Sequence, residues 1–265
     1  MDTVVREPVS VALREDLKLA GVFAVAAALA TMAVLPYALA LMPEVRAKLP
    51  VSMPVLMLLQ GLQGGLLLGL MAIAGLCMGH RVGLDAPWLR ALVMRRELPQ
   101  VAWITAVMAG IASALAILGL LAVIDPWLPT ALAAHGAPPA PGAGLGLLAS
   151  FYGAIGEELQ LRLFLMTFLV WIVAKWRAAA PSALAYWIAI VVAALLFGAG
   201  HLPAASHVWP LTGLVIARVI LANALAGVVF GWLYWRKGLE AAMLAHFSAD
   251  IVLHVAAPLW LGALA

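Results

Sequence analysis

Apolar side chains run along this chain in long unbroken stretches, and polar positions fall between them in short clusters. A hydrocarbon layer about 30 Å thick is crossed by about 20 residues of helix. Seven stretches are long enough, at about 19–42, 53–79, 101–124, 144–174, 182–201, 210–235 and 239–263. The pattern predicts an all-α polytopic membrane bundle of seven transmembrane helices, with an eighth short segment if the last stretch breaks before Pro258. Ahead of the first stretch, Val4 to Leu17 alternates apolar with charged residues, which predicts a short amphipathic helix lying at the interface. The segment Met1 to Lys18 has no small-residue cleavage site, so a removable signal peptide is not expected.

Composition narrows the class. The chain has 265 residues, 66% hydrophobic and 10% charged, with a mean hydropathy of +1.10. That excludes a soluble globular domain, a disordered chain and a nucleic-acid binder. The net charge of +3 describes the loops and does not imply an acidic partner. Cys77 is the single cysteine, which excludes an internal disulfide or a cysteine-based metal site. In its apolar stretch it is expected to be a small packing residue. Glycines 61, 64, 65 and 69 in the second stretch predict close helix packing. No internal repeat is evident.

Orientation follows from the basic residues. With the N-terminus cytoplasmic, that side holds Arg6, Arg14, Lys18, Arg81, Arg90, Arg95, Arg96, Lys175, Arg177, Arg236 and Lys237. The other side holds Arg46 and Lys48. This bias predicts an N-inside protein. The loop from Asp125 to Leu145 has no basic residue and is expected outside, with Trp127 as an interfacial anchor. The Ala/Leu/Gly-rich composition suits a bacterial inner-membrane protein.

The chemistry lies in ionisable residues within the stretches, each costing about 2.5–3.5 kcal/mol to insert. They are Glu157, Glu158 and Arg162 in the fourth, His201 ending the fifth, Arg218 in the sixth, and His246, Asp250 and His254 in the seventh. Glu158 and Arg162 share a helical face at i and i+4, so they are expected to neutralise each other as a stabilising pair. Glu157 points about 100° away and has no local partner, which suits a general base. His246 and Asp250 share a face deep in an apolar helix. His201 alone reads as an interfacial histidine. His254, His207, His135 and His80 read as ordinary polar residues near ends or loops. Arg218 and Asn223 fit either second partners of a polar site or helix-packing groups. Depth raises a difficulty: at 1.5 Å per residue, Glu158, His201 and His246 fall about 25, 28 and 10 Å from the cytoplasmic face.

Glu157-Glu158-Leu-Gln-Leu-Arg162, Phe197-Gly-Ala-Gly-His201 and His246-Phe-Ser-Ala-Asp250 have the forms EExxxR, FxxxH and HxxxN/D. In this order on separate apolar helices, over roughly 144–257, they resemble the CPBP family of CAAX-processing and abortive-infection-type membrane proteases. The glycine-and-aromatic run from Gly227 to Glu240 adds to the likeness. On that resemblance the chain divides into a 1–18 N-terminal segment, three helices without motif residues over 19–143, and a four-helix catalytic core over 144–265. The resemblance implies a glutamate-dependent intramembrane endopeptidase that needs no cofactor and acts on membrane-associated substrates, prenylated CAAX-type peptides among them. It implies catalytic roles for Glu157, His201, His246 and Asp250. Glu157 with His201 would activate water, and His246 with Asp250 would stabilise the oxyanion. Glu158, Arg162 and Phe197 would support the site. The CAAX-processing members carry Asn where this chain has Asp250, and an ionised aspartate repels an oxyanion. Asp250 is therefore protonated, orients His246 or serves otherwise. Competing readings are a zinc protease using Glu157, His201, His246 and Asp250, a proton-coupled transporter, and a non-catalytic relative.

Overall fold

The computed structural model describes residues 9–129 and 141–264. Val4 to Pro8 of the expected amphipathic segment, His135 and most of the loop after the third span lie outside the described residues. Seven helices are long and apolar enough to cross a membrane: Ala12–Leu41, Met53–Gly79, Trp103–Trp127, Ala143–Arg177, Ala183–Ala205, Gly213–Lys237 and Leu239–Trp260. No strand occurs among the described residues, so the protein is a polytopic helical bundle. Large apolar side chains such as Leu66 and Ile104 face outward, as a hydrocarbon solvent requires.

Expectations for the two ends of the bundle's chain path are corrected first. Residues from Val9 onward do not form a separate interfacial helix but run unbroken into the first span, to Leu41. The acidic residues that made this segment look amphipathic are held by the protein instead. Glu15 accepts from Arg96 at 2.6 Å, and buried Asp16 accepts from Arg90 at 2.7 Å and His80 at 2.9 Å. Nor does the last span break before Pro258. It passes through a π-wound stretch, Ile251–Ala256, and continues as Ala257–Leu264. The wider winding absorbs the hydrogen bond that Pro258 cannot donate.

Six spans form a ring in the order first, fourth, seventh, third, sixth, fifth, each packed on the next. Among the described residues, no packing interface closes the ring between the fifth and first spans. The second span packs outside the ring against the first, where Gly61, Gly64, Gly65 and Gly69 meet Ala24, Ala28, Thr31 and Met32, as their spacing predicted. The fourth span is tilted. Its start, Ala143–Tyr152, lies between the first and seventh spans, and its deeper part, Leu159–Met166, lies against the second, fifth and sixth. It therefore crosses beneath the ring and forms its floor.

The end of the bundle that carries most basic residues is fastened by a polar knot. Arg90, on the short helix Pro87–Val93, bonds Asp16 and also Asp85 at 2.7 and 2.9 Å. Burial alone would lower the Arg90 pKa, but Asp85 and Asp16 outweigh it and raise it, so the guanidinium stays charged. Cys77 is exposed rather than packed, with Sγ 3.6 Å from Asp16. His80 belongs to this knot and is not a bystander. Buried Glu240 accepts the Leu89 N–H at 2.7 Å, satisfying a free donor in the first turn of the short helix.

This knot resolves the depth difficulty for Glu158 and His246. The seventh span begins inside the protein: Leu239 is fully buried and its N–H donates to the Asp85 carbonyl at 3.1 Å. Gly238, at φ +95, makes the tight reversal from the sixth span that this requires. The fourth span instead runs past the bundle. Thr167 meets Tyr234 at 2.8 Å, beside the end of the second span at Gly79, and ten further residues follow to Arg177. Measured from Thr167, Glu158 is about 13 Å deep, which brings it level with His246.

Replacing Arg90 with alanine strands the buried Asp16 carboxylate. We expect Arg90→Ala to cost about 3–5 kcal/mol, read as a lowered Tm in detergent. An unchanged Tm would show that the knot does not hold the bundle end.

Candidate active site

The ring encloses a cavity of about 780 Å³ whose floor and walls carry Glu157, His201, His246, Asp250 and His254. The fourth span is π-wound on both sides of Glu158, over Gly153–Glu157 and Leu159–Met166, a winding often found where function overrides regular geometry. The two adjacent glutamates end in different surroundings. The Glu158 side chain is fully buried, 2.9 Å from Arg162 Nη1, as the i,i+4 spacing predicted. Glu157 is 23% exposed and faces the cavity.

Arg162 is the largest fully buried side chain. Its Nη2 donates to the Gly227 carbonyl at 3.1 Å, and its guanidinium lies over the rings of Phe197 and Phe230, at 5.3 and 5.4 Å. Phe197 also meets His201 edge-on at 4.7 Å and His246 at 5.9 Å. One aromatic ring thus spaces the arginine and both histidines. That is why a phenylalanine stands four residues ahead of His201.

His246 is buried, stacked on Phe230 at 4.7 Å. Its Nδ1–H donates to Glu158 at 2.8 Å, which leaves Nε2 facing Glu157 at 3.6 Å and Asp250 at 3.7 Å. His201 donates from Nδ1 to the Phe197 carbonyl at 2.9 Å, so its Nε2 also faces Glu157, at 3.9 Å. These separations are too long for direct hydrogen bonds and suit groups that share a small molecule between them. Gly153 gives the constellation its room, because a Cβ there would collide with Asp250 Oδ2 and His246 Nε2.

All four candidate side chains, Glu157, His201, His246 and Asp250, therefore line one cavity together with Phe197, with Glu158 and Arg162 beneath them. His254 is not a bystander: it lines the cavity 3.8 Å from Asp250 and meets Tyr37 edge-on at 5.8 Å. Asn223 also lines it, donating to the Val219 carbonyl at 2.8 Å. Arg218 does not join the site. It is paired with Asp125 at 2.7 and 2.9 Å and lies over Trp209, fastening the end of the third span to the sixth. Sequence reasoning missed Tyr37, Tyr152 and Gln160, which complete the lining. Tyr152 accepts from Gln160 at 3.2 Å, and their spacing from Glu157 was a readable signal only on a known floor helix.

Residues 139–252 match the family of type II CAAX prenyl endopeptidase Rce1-like proteins. No curated protein and no solved structure matches the chain. The matched segment contains all three motifs, and over it the chain is similar to that family.

Proposed function

We propose that the protein is an intramembrane endopeptidase in which Glu157 and His201 activate water, with the N-terminus in the cytoplasm and, if the source is bacterial, the protein in the inner membrane. The observation that carries this reading is the division of labour between neighbouring glutamates. Glu158 is locked to Arg162 and His246, while Glu157 stands open between two imidazole Nε2 atoms. A carboxylate so placed accepts a proton from a water held against His201, and the hydroxide oxygen adds to a scissile carbonyl.

His246 donates from Nε2 to the resulting oxyanion, and the negative charge of Glu158 at its Nδ1 stabilises the imidazolium that donates. Collapse of the tetrahedral adduct breaks the C–N bond, and the proton held by Glu157 passes to the leaving amine. Asp250, beside His246 and His254, acts as a positioning residue for His246. Substrates are membrane-associated polypeptides. The transport reading is not favoured, because residues 139–252 match a family of endopeptidases, nor is the zinc reading, because among the described residues no group of three or more His, Cys, Asp or Glu is arranged to hold a metal ion.

Purified protein should cleave peptides from a mixed library that includes farnesylated CAAX sequences, with activity that survives a chelator. Glu157→Ala, His201→Ala and His246→Ala should each lower kcat by about 10²–10⁴-fold while the protein stays folded in detergent. Full activity in any one variant removes the role given to that residue, and loss of wild-type activity with chelator would return the zinc reading.

Asp250→Asn keeps the side chain's length and hydrogen bonding, so cleavage should persist, whereas Asp250→Ala should lower it. Equal loss in both would mean that the carboxyl itself is needed. Arg162→Ala strands Glu158 and should lower stability by about 3–5 kcal/mol, measured by thermal unfolding in detergent.

A further inference from the structure

We propose that a groove between the fourth and fifth spans, at the end that carries the basic loops, binds one anionic phospholipid. An acyl chain lies along the groove and the phosphate sits on Arg177. The proposal goes beyond the protease reading and does not depend on it.

The groove is separate from the central cavity. It has a volume of about 170 Å³ and shares no lining residue with the cavity. Leu169, Ile172 and Val173 form its wall on the fourth span, and Ile188 and Val192 its wall on the fifth. Small side chains leave the room, because buried Ala185 and Ala189 form its base. Leu184 and Ile188 are 67% and 55% exposed, so the groove opens outward to hydrocarbon. From Arg177 back to Leu169, and from Leu184 on to Val192, each wall runs about 12 Å along its helix. One leaflet contributes about 15 Å to a hydrocarbon layer of about 30 Å. The groove therefore follows an acyl chain through most of its leaflet, and its two polar lining residues, Arg177 and Ser182, stand together at one end.

Charge selects the headgroup. From Leu159 to Leu239 the chain has no aspartate or glutamate. Lys175, Arg177, Arg236 and Lys237 stand exposed within that stretch, and none has a carboxylate partner among the described residues. The polar knot at the same end differs, since Arg90 and Arg96 are each held by carboxylates. The positive charge around the groove's mouth is thus uncompensated, and basic pockets between membrane helices take anionic headgroups.

Aromatic residues set the depth. Tryptophans collect at the level of lipid headgroups. Trp176, beside Arg177, is 83% exposed, and Lys175 and Arg236 lie over Trp171 and Trp235 at 5.0 and 5.3 Å. Of the four unpaired cations, Arg177 lines the groove itself, and its planar guanidinium matches a phosphate with two parallel hydrogen bonds. Ser182 Oγ accepts the Ala185 N–H at 3.4 Å, which leaves its own O–H to donate to the same phosphate.

The test is native mass spectrometry of the full chain released from a neutral detergent. The protein is titrated with phosphatidylglycerol or phosphatidylcholine of the same acyl chains, and with glycerol 3-phosphate as a headgroup without a tail. We expect the wild type to retain one phosphatidylglycerol about tenfold or more tightly than phosphatidylcholine, and not to retain glycerol 3-phosphate. Arg177→Gln should lose that preference. Ile188→Trp, which fills the groove from its exposed rim, should lower retention of both lipids. Arg14→Gln removes an equal charge from the first span, which forms no packing interface with the fifth, and should leave the preference unchanged. Equal retention of the two lipids by the wild type, an unchanged preference in Arg177→Gln or unchanged retention in Ile188→Trp overturns the proposal. An equal loss in Arg14→Gln also overturns it, by assigning the effect to surface charge at large, as does glycerol 3-phosphate held as tightly as the lipid.

Discussion

The site is organised around a guanidinium that has no water. Arg162 lies buried in a membrane bundle, where an unpaired cation is costly, and every neighbour that satisfies it is drawn into one place. Glu158 gives the opposing charge, Gly227 a carbonyl, Phe197 and Phe230 their ring faces. These groups come from the fourth, fifth and sixth spans. Glu158 then takes the Nδ1 proton of His246 and so fixes the seventh. Four helices are registered against each other by one charge. The orientation of the imidazole facing the cavity is a by-product of that neutralisation.

Neighbouring residues on a helix point about 100° apart, and here that turn separates two dielectric environments. Glu158 lies among packed side chains while Glu157 lies in open space one residue earlier. The π-wound turns around them widen the helix just where both carboxyls need to approach His246. Gly153, one turn before, lets the seventh span come close enough to present it.

Much of this was legible in the chain. Hydrophobic run lengths gave all seven spans, because backbone in hydrocarbon must be helical. The pairing of Glu158 with Arg162 followed from i,i+4 spacing, and the isolation of Glu157 followed from that pairing. What escaped notice depended on distance in sequence. Asp16 looked amphipathic because Arg90, its partner, is 74 residues away. Arg218 looked unpaired because Asp125 lies across the bundle. Depths along straight helices misled because neither the early start of the seventh span nor the overhang of the fourth leaves a mark on hydropathy. Tyr37 and His254 are ordinary residues until a ring of helices puts them face to face.

The floor helix has one more property. The fourth span counts 35 residues, about 50 Å of helix, against a hydrocarbon layer of about 30 Å. Such a surplus is accommodated by leaning, and this helix leans so far that it is wall at one end and floor at the other. Its angle is therefore the coordinate on which bilayer thickness acts. Glu157 rides on this leaning helix while His201 and His246 ride on others. Hydrophobic mismatch therefore bears on the one helix that carries the cavity's open carboxylate.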